Sequence, residues 1–203
     1  YQGRPYGQLH SLPPKRTDSF VSNVIEHTMD MSLEFAGAIA PADLIVNYCY
    51  YLKNERKTDK EVVNDFQRFI HVVNNKFRIN AQSPFVNLPI FDRPILKALF
   101  DGYCYPDGSS VDIDLVMYVQ ELFMRFFAKG DPKTGLPYRF PVCTVNLCLD
   151  DNRNILDQEI LALLCELNRH KGVFNIYIDK AAKVAMCCRF INDLERMRQF
   201  KAD

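Results

Sequence analysis

Residues 138–149 (YRFPVCTVNLCL) are rich in β-forming side chains and lie between two stretches with helical periodicity. The stretch before them, 112–128, and the stretch after them, 157–168, both repeat apolar residues at helical spacing. Two further apolar runs, 80–92 and 173–178, are also predicted strands. Strands that alternate with helices are typical of an α/β fold with parallel strands and crossover helices, and we predict that class.

Several helix ends are marked by local patterns. Thr58, with Glu61 three residues later, forms a capping-box pattern at the start of a helix. The apolar residues that follow at helical spacing are Val62, Phe66, Phe69, Ile70 and Val73. Pro41 suits the first turn of the preceding helix, and Gly172 suits a C-terminal cap. The polar tail from Asn192 onward is predicted to be helical.

The length and composition favour one domain. The chain has 203 residues, of which 48% are apolar, so a sizeable core can form. Prolines and glycines in residues 1–18 predict an irregular lead-in to a single domain that covers 1–203. The first residue is Tyr1 rather than Met, so we expect a processed piece or a segment of a longer protein.

The charge balance argues against two classes of partner. Lys and Arg number 25, as do Asp and Glu, so the formal net charge is zero. Such a chain offers no electrostatic reason to bind nucleic acid or an anionic membrane. No apolar stretch is long enough to cross a bilayer, and the first residues lack the apolar part of a signal peptide. We therefore expect a cytoplasmic protein with neither partner.

Two neighbouring cysteines, Cys187 and Cys188, are followed by Arg189. The 7 cysteines are irregularly spaced and include no CxxC pair, so we predict no metal site and reduced thiols. One interpretation of the pair is two small buried side chains on opposite faces of a strand. The other is a thiol in a functional site, with Arg189 organising an anionic substrate or a loop. The residues alone leave both open.

Two asparagines follow apolar runs and are predicted to lie at the ends of their strands. Asn87 closes the run 82–87, and Asn146 closes the run 139–146. Amides at strand ends can bind sugar hydroxyls or phosphates at the open end of a barrel, whereas turn-forming asparagines are the simpler alternative. His27 could act as an acid, a base or a donor near neutral pH, or be an ordinary solvated residue.

Taken together, several segments resemble the catalytic subunit of the anaerobic, oxygen-sensitive class III ribonucleoside-triphosphate reductases. The matching stretches are NAQSPFVNLPIFDRP, YPDGS, VQELFMRFFAKGDPKTGLPYRFPVCTVNL, GVFNIYI and AMCCRFIND. They occur in the family's order between Asn80 and Asp193, and the long middle stretch is the most specific.

This resemblance implies a ten-stranded α/β barrel of the glycyl-radical enzyme type, with a cysteine finger loop threaded inside it. The loop corresponds to 186–189, and Cys188 is the expected thiyl radical that abstracts the 3′-hydrogen of the ribose. Cys187 is the alternative. The residues expected to contact the substrate or support the loop are Ser83, Asn87, Asn146, Arg189 and His27.

The resemblance also implies parts that the sequence does not contain. The family's radical glycine motif, its zinc-binding CxxC pairs and its N-terminal ATP-cone are absent from the sequence. We therefore expect an internal or split portion that is inactive alone. Its expected partners are a complementary segment with the glycyl radical and zinc, a radical-SAM activase, ribonucleotide substrate, ATP or dATP as effectors, and further copies in a homo-oligomer. The reductant, formate or a dithiol protein, stays open.

Two rival functions remain at this point. Another glycyl-radical enzyme, of the pyruvate formate-lyase kind, also carries a Cys-Cys pair on a barrel loop. A non-catalytic fragment that binds a reductase partner is the second rival.

Overall fold

A parallel β-sheet of three strands organises the fold. The computed structural model describes residues 12–35, 37–76, 82–180, 183–185 and 191–193. Within them, the helices are α1 (Thr17–Glu34), α2 (Leu44–Leu52), α3 (Asp59–Val73), α4 (Arg93–Phe100), α5 (Ile113–Lys129) and α6 (Gln158–Lys171). The strands are β1 (Asn87–Phe91), β2 (Val142–Cys148), β3 (Phe174–Asp179), β4 (Lys183–Ala185) and β5 (Ile191–Asp193).

The main sheet has the strand order β1-β2-β3, and both neighbouring pairs are parallel. Helices α4 and α5 connect β1 to β2, and α6 connects β2 to β3. Parallel neighbours require such crossovers because the chain must return to the same end of the sheet before the next strand begins. The predicted α/β class with parallel strands is therefore confirmed.

The two faces of this sheet have different neighbours. Cys143 of β2 lies opposite Phe174 of β3, so both residues share one face with Val145. The ring centroid of Phe174 lies 5.8 Å from that of Phe127 in α5, which places α5 on this face. The opposite face carries the alternate residues of β2, namely Thr144, Asn146 and Cys148.

Strand β1 can contain a proline because the nitrogen of that residue points away from β2. The N–H of Asn87 donates to the carbonyl of Ile39, on the side away from β2. Pro89, two residues on, points its nitrogen to the same side, so no hydrogen bond to β2 is lost. Helix α4 begins directly after this strand, because the Asp92 carboxylate accepts the N–H of Ile95.

The predicted helix ends agree with the structure except at α2. Thr58 and Glu61 form the complete capping box of α3. All five predicted apolar residues of α3 are buried. Gly172 ends α6 in the left-handed conformation, with φ 56°. The prediction for Pro41 is wrong, because α2 begins at Leu44, whose N–H donates to the carbonyl of Pro41.

A second sheet consists of β4 and β5, which pair antiparallel. Asn192 and Asp193 belong to β5, so the predicted helical tail does not begin at Asn192. The residues after 193 lie outside the described part of the chain. None of the helices in the described part is both long enough and apolar enough to cross a membrane.

Candidate active site

The adjacent cysteines lie, in sequence, between two described strands. Cys187, Cys188 and Arg189 themselves fall outside the described residues. β4 ends at Ala185, shortly before them, and β5 begins at Ile191, shortly after them. These two end residues are directly opposite each other in the antiparallel pair. The surroundings of the candidate site can therefore be examined through the strands that flank it.

The last two residues of strand β4 are buried on the face of the main sheet that lies opposite α5. Val184 is 0% exposed and Ala185 is 4% exposed. The Oδ1 atom of Asn146 accepts the N–H of Ala185 at 2.7 Å, and its Nδ2 atom donates to the Ala185 carbonyl at 3.1 Å. One side chain thus satisfies both backbone groups of a residue, as a neighbouring strand would.

The Asn146 amide is fully buried and fully engaged. Its Nδ2 atom also lies 3.2 Å from the carbonyl oxygen of Ile90 and 3.3 Å from that of Thr144. These bonds join β1, β2 and β4, as expected for a buried amide that must find partners. The predicted position of Asn146 at the end of its strand is wrong, because β2 continues to Cys148.

Asn87, the other predicted asparagine, opens β1 instead of ending it, so its predicted position is also wrong. In the register of the sheet, Asn87 lies opposite Val142, and Asn146 lies opposite Phe91. The two asparagines therefore share a face, but they are separated by about 13 Å along the strand direction, since each residue advances a strand by about 3.3 Å. The structure does not bring them together.

The side chain of Asn87 has unused hydrogen-bonding capacity. The residue is only 1% exposed, yet neither its Oδ1 nor its Nδ2 atom has a partner in the described part of the chain. A buried polar group without a partner costs about 1–3 kcal/mol, so a ligand or an ordered water is the usual explanation. Asn87 can therefore bind a further group without giving up an existing bond.

Ser83 lies at the opposite end of the sheet from Asn146. Its Oγ atom donates to the Asn74 carbonyl at 3.2 Å. Ser83, Asn74 and Arg139 help to line a cleft of about 1100 Å³. Since Ser83 precedes β1 and Arg139 precedes β2, the cleft is at the amino end of these strands. Asn146 lies towards their carboxyl end, level with the last residue of β1.

His27, the remaining predicted site residue, is on α1. Its side chain is half-buried, and α1 packs against α2 and α3. In the described part of the chain, no group of three or more His, Cys, Asp and Glu side chains is arranged to hold a metal ion.

Two buried polar residues near the carboxyl end of β1 were missed in the sequence. The Asp92 carboxylate accepts the N–H of Ile95 at 2.9 Å and also that of Cys148, which joins the ends of β1 and β2. Burial raises the pKa of Asp92 to about 6. Gln120 bonds to the backbone of Phe91. Asp92 could have been found as an aspartate just before a proline-containing helix start.

The whole chain matches a model of one protein family and resembles several solved structures. The family model, described as anaerobic ribonucleoside-triphosphate reductase, matches residues 1–202. The anaerobic ribonucleotide reductase from Thermotoga maritima in complex with dATP and CTP is 26% identical, with a TM-score of 0.80, over 88% of this chain and 31% of that chain. The same enzyme with dATP bound in the specificity site is 26% identical, with a TM-score of 0.79, over 87% of this chain and 31% of that chain.

A further solved structure, of an anaerobic ribonucleotide reductase, is also 26% identical, with a TM-score of 0.78, over 85% of this chain and 28% of that chain. No curated protein matches the chain. The chain thus spans about 30% of the length of the solved proteins it resembles, at 31% for the first and 28% for the last.

Proposed function

Because the chain belongs to the family of anaerobic ribonucleoside-triphosphate reductases, we propose that it is the portion of such an enzyme that carries the hydrogen-abstracting cysteine. The supporting observation is the placement of β4. This strand leads into Cys187 and Cys188, and its last two residues are buried on the face of the parallel sheet that lies opposite α5. In the proposal, this sheet is one part of the ten-stranded barrel, and its polar face is the inside of that barrel.

The proposed reaction converts a ribonucleotide to a deoxyribonucleotide: the 2′-hydroxyl leaves as water, and a reductant, formate or a dithiol protein, supplies the two electrons. The thiyl form of Cys188 removes the hydrogen atom from the 3′ carbon of the ribose, and Cys187 is the alternative residue for this step. The S–H bond that forms is close in strength to the C–H bond that breaks, so the hydrogen can be returned at the end of the cycle. The family's glycyl radical, on a residue outside this sequence, supplies the oxidising equivalent that removes the hydrogen atom from the thiol.

The chain's own residues contribute burial and hydrogen bonds. Val184 and Ala185 are shielded from water, as a radical site requires to avoid side reactions. Asn87 is proposed as a substrate contact, because its buried amide has both hydrogen-bonding atoms available on the same face of the sheet. For Ser83, His27 and Arg189, a role in substrate binding stays a prediction.

The proposal requires parts that this chain lacks. A complementary portion would carry the glycyl radical and the zinc site, and a radical-SAM activase would generate the radical. The Thermotoga maritima structure was determined with dATP and CTP. By analogy, we propose a ribonucleotide such as CTP as substrate and ATP or dATP as effector, within a homo-oligomeric assembly.

The test is the activity of single cysteine variants in the complete assembly of this chain, the complementary portion, the activase and a reductant. We expect Cys188→Ala to abolish deoxyribonucleotide formation while the glycyl radical still appears in the electron paramagnetic resonance spectrum. Cys165→Ala is the control, because Cys165 is an exposed residue on α6. If Cys188→Ala forms deoxyribonucleotides at the full rate, Cys188 is not the residue that abstracts the ribose hydrogen. If the unmodified assembly forms the glycyl radical but does not reduce ribonucleotides, the non-catalytic role is favoured.

A further inference from the structure

We propose that Asn146 is the positioning residue that fixes β4, and with it the start of the cysteine-bearing stretch, onto the parallel sheet. The structural part of this inference rests on the contacts of Asn146 alone. Its consequence for catalysis rests on the proposed function. Ala185 is held at both of its backbone groups, and it precedes Cys187 by two positions and Cys188 by three.

The bonds between Asn146 and Ala185 support β4 in addition to its pairing with β5. β4 has only three residues, and its partner β5 is equally short. A pair of this size is marginal without support from a neighbouring surface. The Asn146 amide provides that support from the centre of the main sheet, because β2 is bonded to a strand on each side. The central strand of the main sheet is thereby connected to the backbone next to the candidate site.

The arrangement of donors and acceptors selects an amide at this position. Three carbonyl oxygens, from Ile90, Thr144 and Ala185, converge on Nδ2, whereas Oδ1 receives the N–H of Ala185. A carboxylate would face these carbonyls without a proton to donate, and an aliphatic side chain would leave both groups of Ala185 unpaired. Only a side chain that carries both a donor and an acceptor can hold Ala185 in this way.

The alternative role is contact with the substrate, and the same geometry argues against it. Both hydrogens of Nδ2 are directed at backbone carbonyls, and Oδ1 already accepts the N–H of Ala185. A substrate would have to displace Ala185 from Asn146 in order to bind there. We therefore expect substitution of Asn146 to lower kcat and to leave KM for the nucleotide nearly unchanged, as for a residue that orients the cysteine but does not touch the nucleotide.

The first experiment measures amide hydrogen exchange in the complete reductase assembly, with Asn146→Leu and the isosteric Asn146→Asp. We expect exchange at the Ala185 amide to accelerate at least about tenfold in Asn146→Leu, which removes the acceptor, and in Asn146→Asp, which keeps an acceptor but loses the bond to the Ala185 carbonyl and so loosens β4. Thr144→Val is the matched control, because Thr144 shares the strand and the face of Asn146. The amide of Val145 reports whether the sheet itself stays folded. Unchanged exchange at Ala185 in both variants would overturn the proposal.

The second experiment measures turnover and radical content of the same proteins. We expect at least about a tenfold lower kcat in the Asn146 variants, with an unchanged glycyl radical signal and an unchanged KM. A raised KM with a normal kcat would identify a substrate contact and overturn the positioning role. If the unmodified assembly does not reduce ribonucleotides, the proposed function fails, yet the exchange result still decides whether Asn146 holds β4.

Discussion

Gln120 of α5 holds Phe91, the last residue of β1, by both of its backbone groups. The Oε1 atom of Gln120 accepts the Phe91 N–H at 3.0 Å, and its Nε2 atom donates to the Phe91 carbonyl at 2.8 Å. β1 is an edge strand in the main sheet, so these backbone groups have no strand on that side to pair with. A helix side chain closes the edge of the sheet at this residue, much as Asn146 does at Ala185.

We expect Gln120→Leu to lower the free energy of unfolding by about 2 kcal/mol or more. The substitution leaves two buried backbone groups unpaired, and each such group costs about 1–3 kcal/mol. Chemical denaturation followed by circular dichroism measures the change. Gln67→Leu is the control, since Gln67 is exposed on α3 and should change stability by less than about 0.5 kcal/mol. Equal effects of the two substitutions would contradict the role of Gln120.

Asp92 should make stability fall as the pH rises from about 4 to about 6. Burial, the largest influence, raises the pKa of Asp92 to about 6, and the nearby Asp157 acts in the same direction. The folded state therefore binds the proton more tightly than the unfolded state, in which the pKa is about 3.9. The contribution of the protonated form is complete below about pH 4 and is lost as the pH rises through about 6.

The measurement is the free energy of unfolding against pH for the unmodified protein and for Asp92→Asn. We expect the free energy of unfolding of the unmodified protein minus that of Asp92→Asn to fall by roughly 1 to 3 kcal/mol between pH 4 and pH 7, because only the unmodified protein titrates at this position. A rise of this signed difference with pH would mean that the two N–H donors outweigh burial and hold the pKa of Asp92 low.

Thr58→Ala should destabilise α3 by about 1 kcal/mol, the usual cost of removing an N-cap side chain. The Thr58 hydroxyl donates to the Glu61 carboxylate at 2.7 Å, and the Glu61 carboxylate accepts the Thr58 N–H at 2.8 Å. Thermal unfolding measures the loss. Thr58→Ser keeps the hydroxyl and should retain most of the stability, so a loss as large as that of alanine would show that the capping box is not the cause.

The described cysteines should differ sharply in their reaction with iodoacetamide. Cys104 and Cys165 are exposed, whereas Cys49 and Cys143 are buried. Burial also raises the pKa of both buried thiols well above the ordinary value, and the thiolate is the reactive form. Mass spectrometry of the native protein should find Cys104 and Cys165 alkylated before Cys49 and Cys143. Rapid labelling of Cys143 without unfolding would contradict the buried environment of β2.

Local patterns in the sequence were enough to predict several elements. The capping box at Thr58 and the left-handed end at Gly172 depend on residues within a few positions of each other, and both agree with the structure. The alternation of strands and helices could be predicted equally well, because each apolar run falls within a single strand or helix. Pro41 shows the limit of such patterns: α2 begins at Leu44, although proline is favourable in a first helical turn.

The candidate site was less predictable than the fold. Asn87 and Asn146 carry similar sequence patterns, yet one opens its strand and the other lies inside its strand. A run of apolar residues does not reveal where pairing begins, since that depends on a neighbouring strand far away in the sequence. The roles of Cys188 and Cys187 came from family resemblance, and they stay predictions.

The sequence by itself determined the α/β alternation, most of the helix ends and the similarity to anaerobic ribonucleoside-triphosphate reductases. Only the tertiary structure decided which polar side chains meet. Asn146 and Ala185 are 39 positions apart, and Gln120 and Phe91 are 29 positions apart. Each contact requires atoms to approach within about 3 Å. A shift of one residue in strand register would turn the side chain to the opposite face, and register is set only when distant segments pack together.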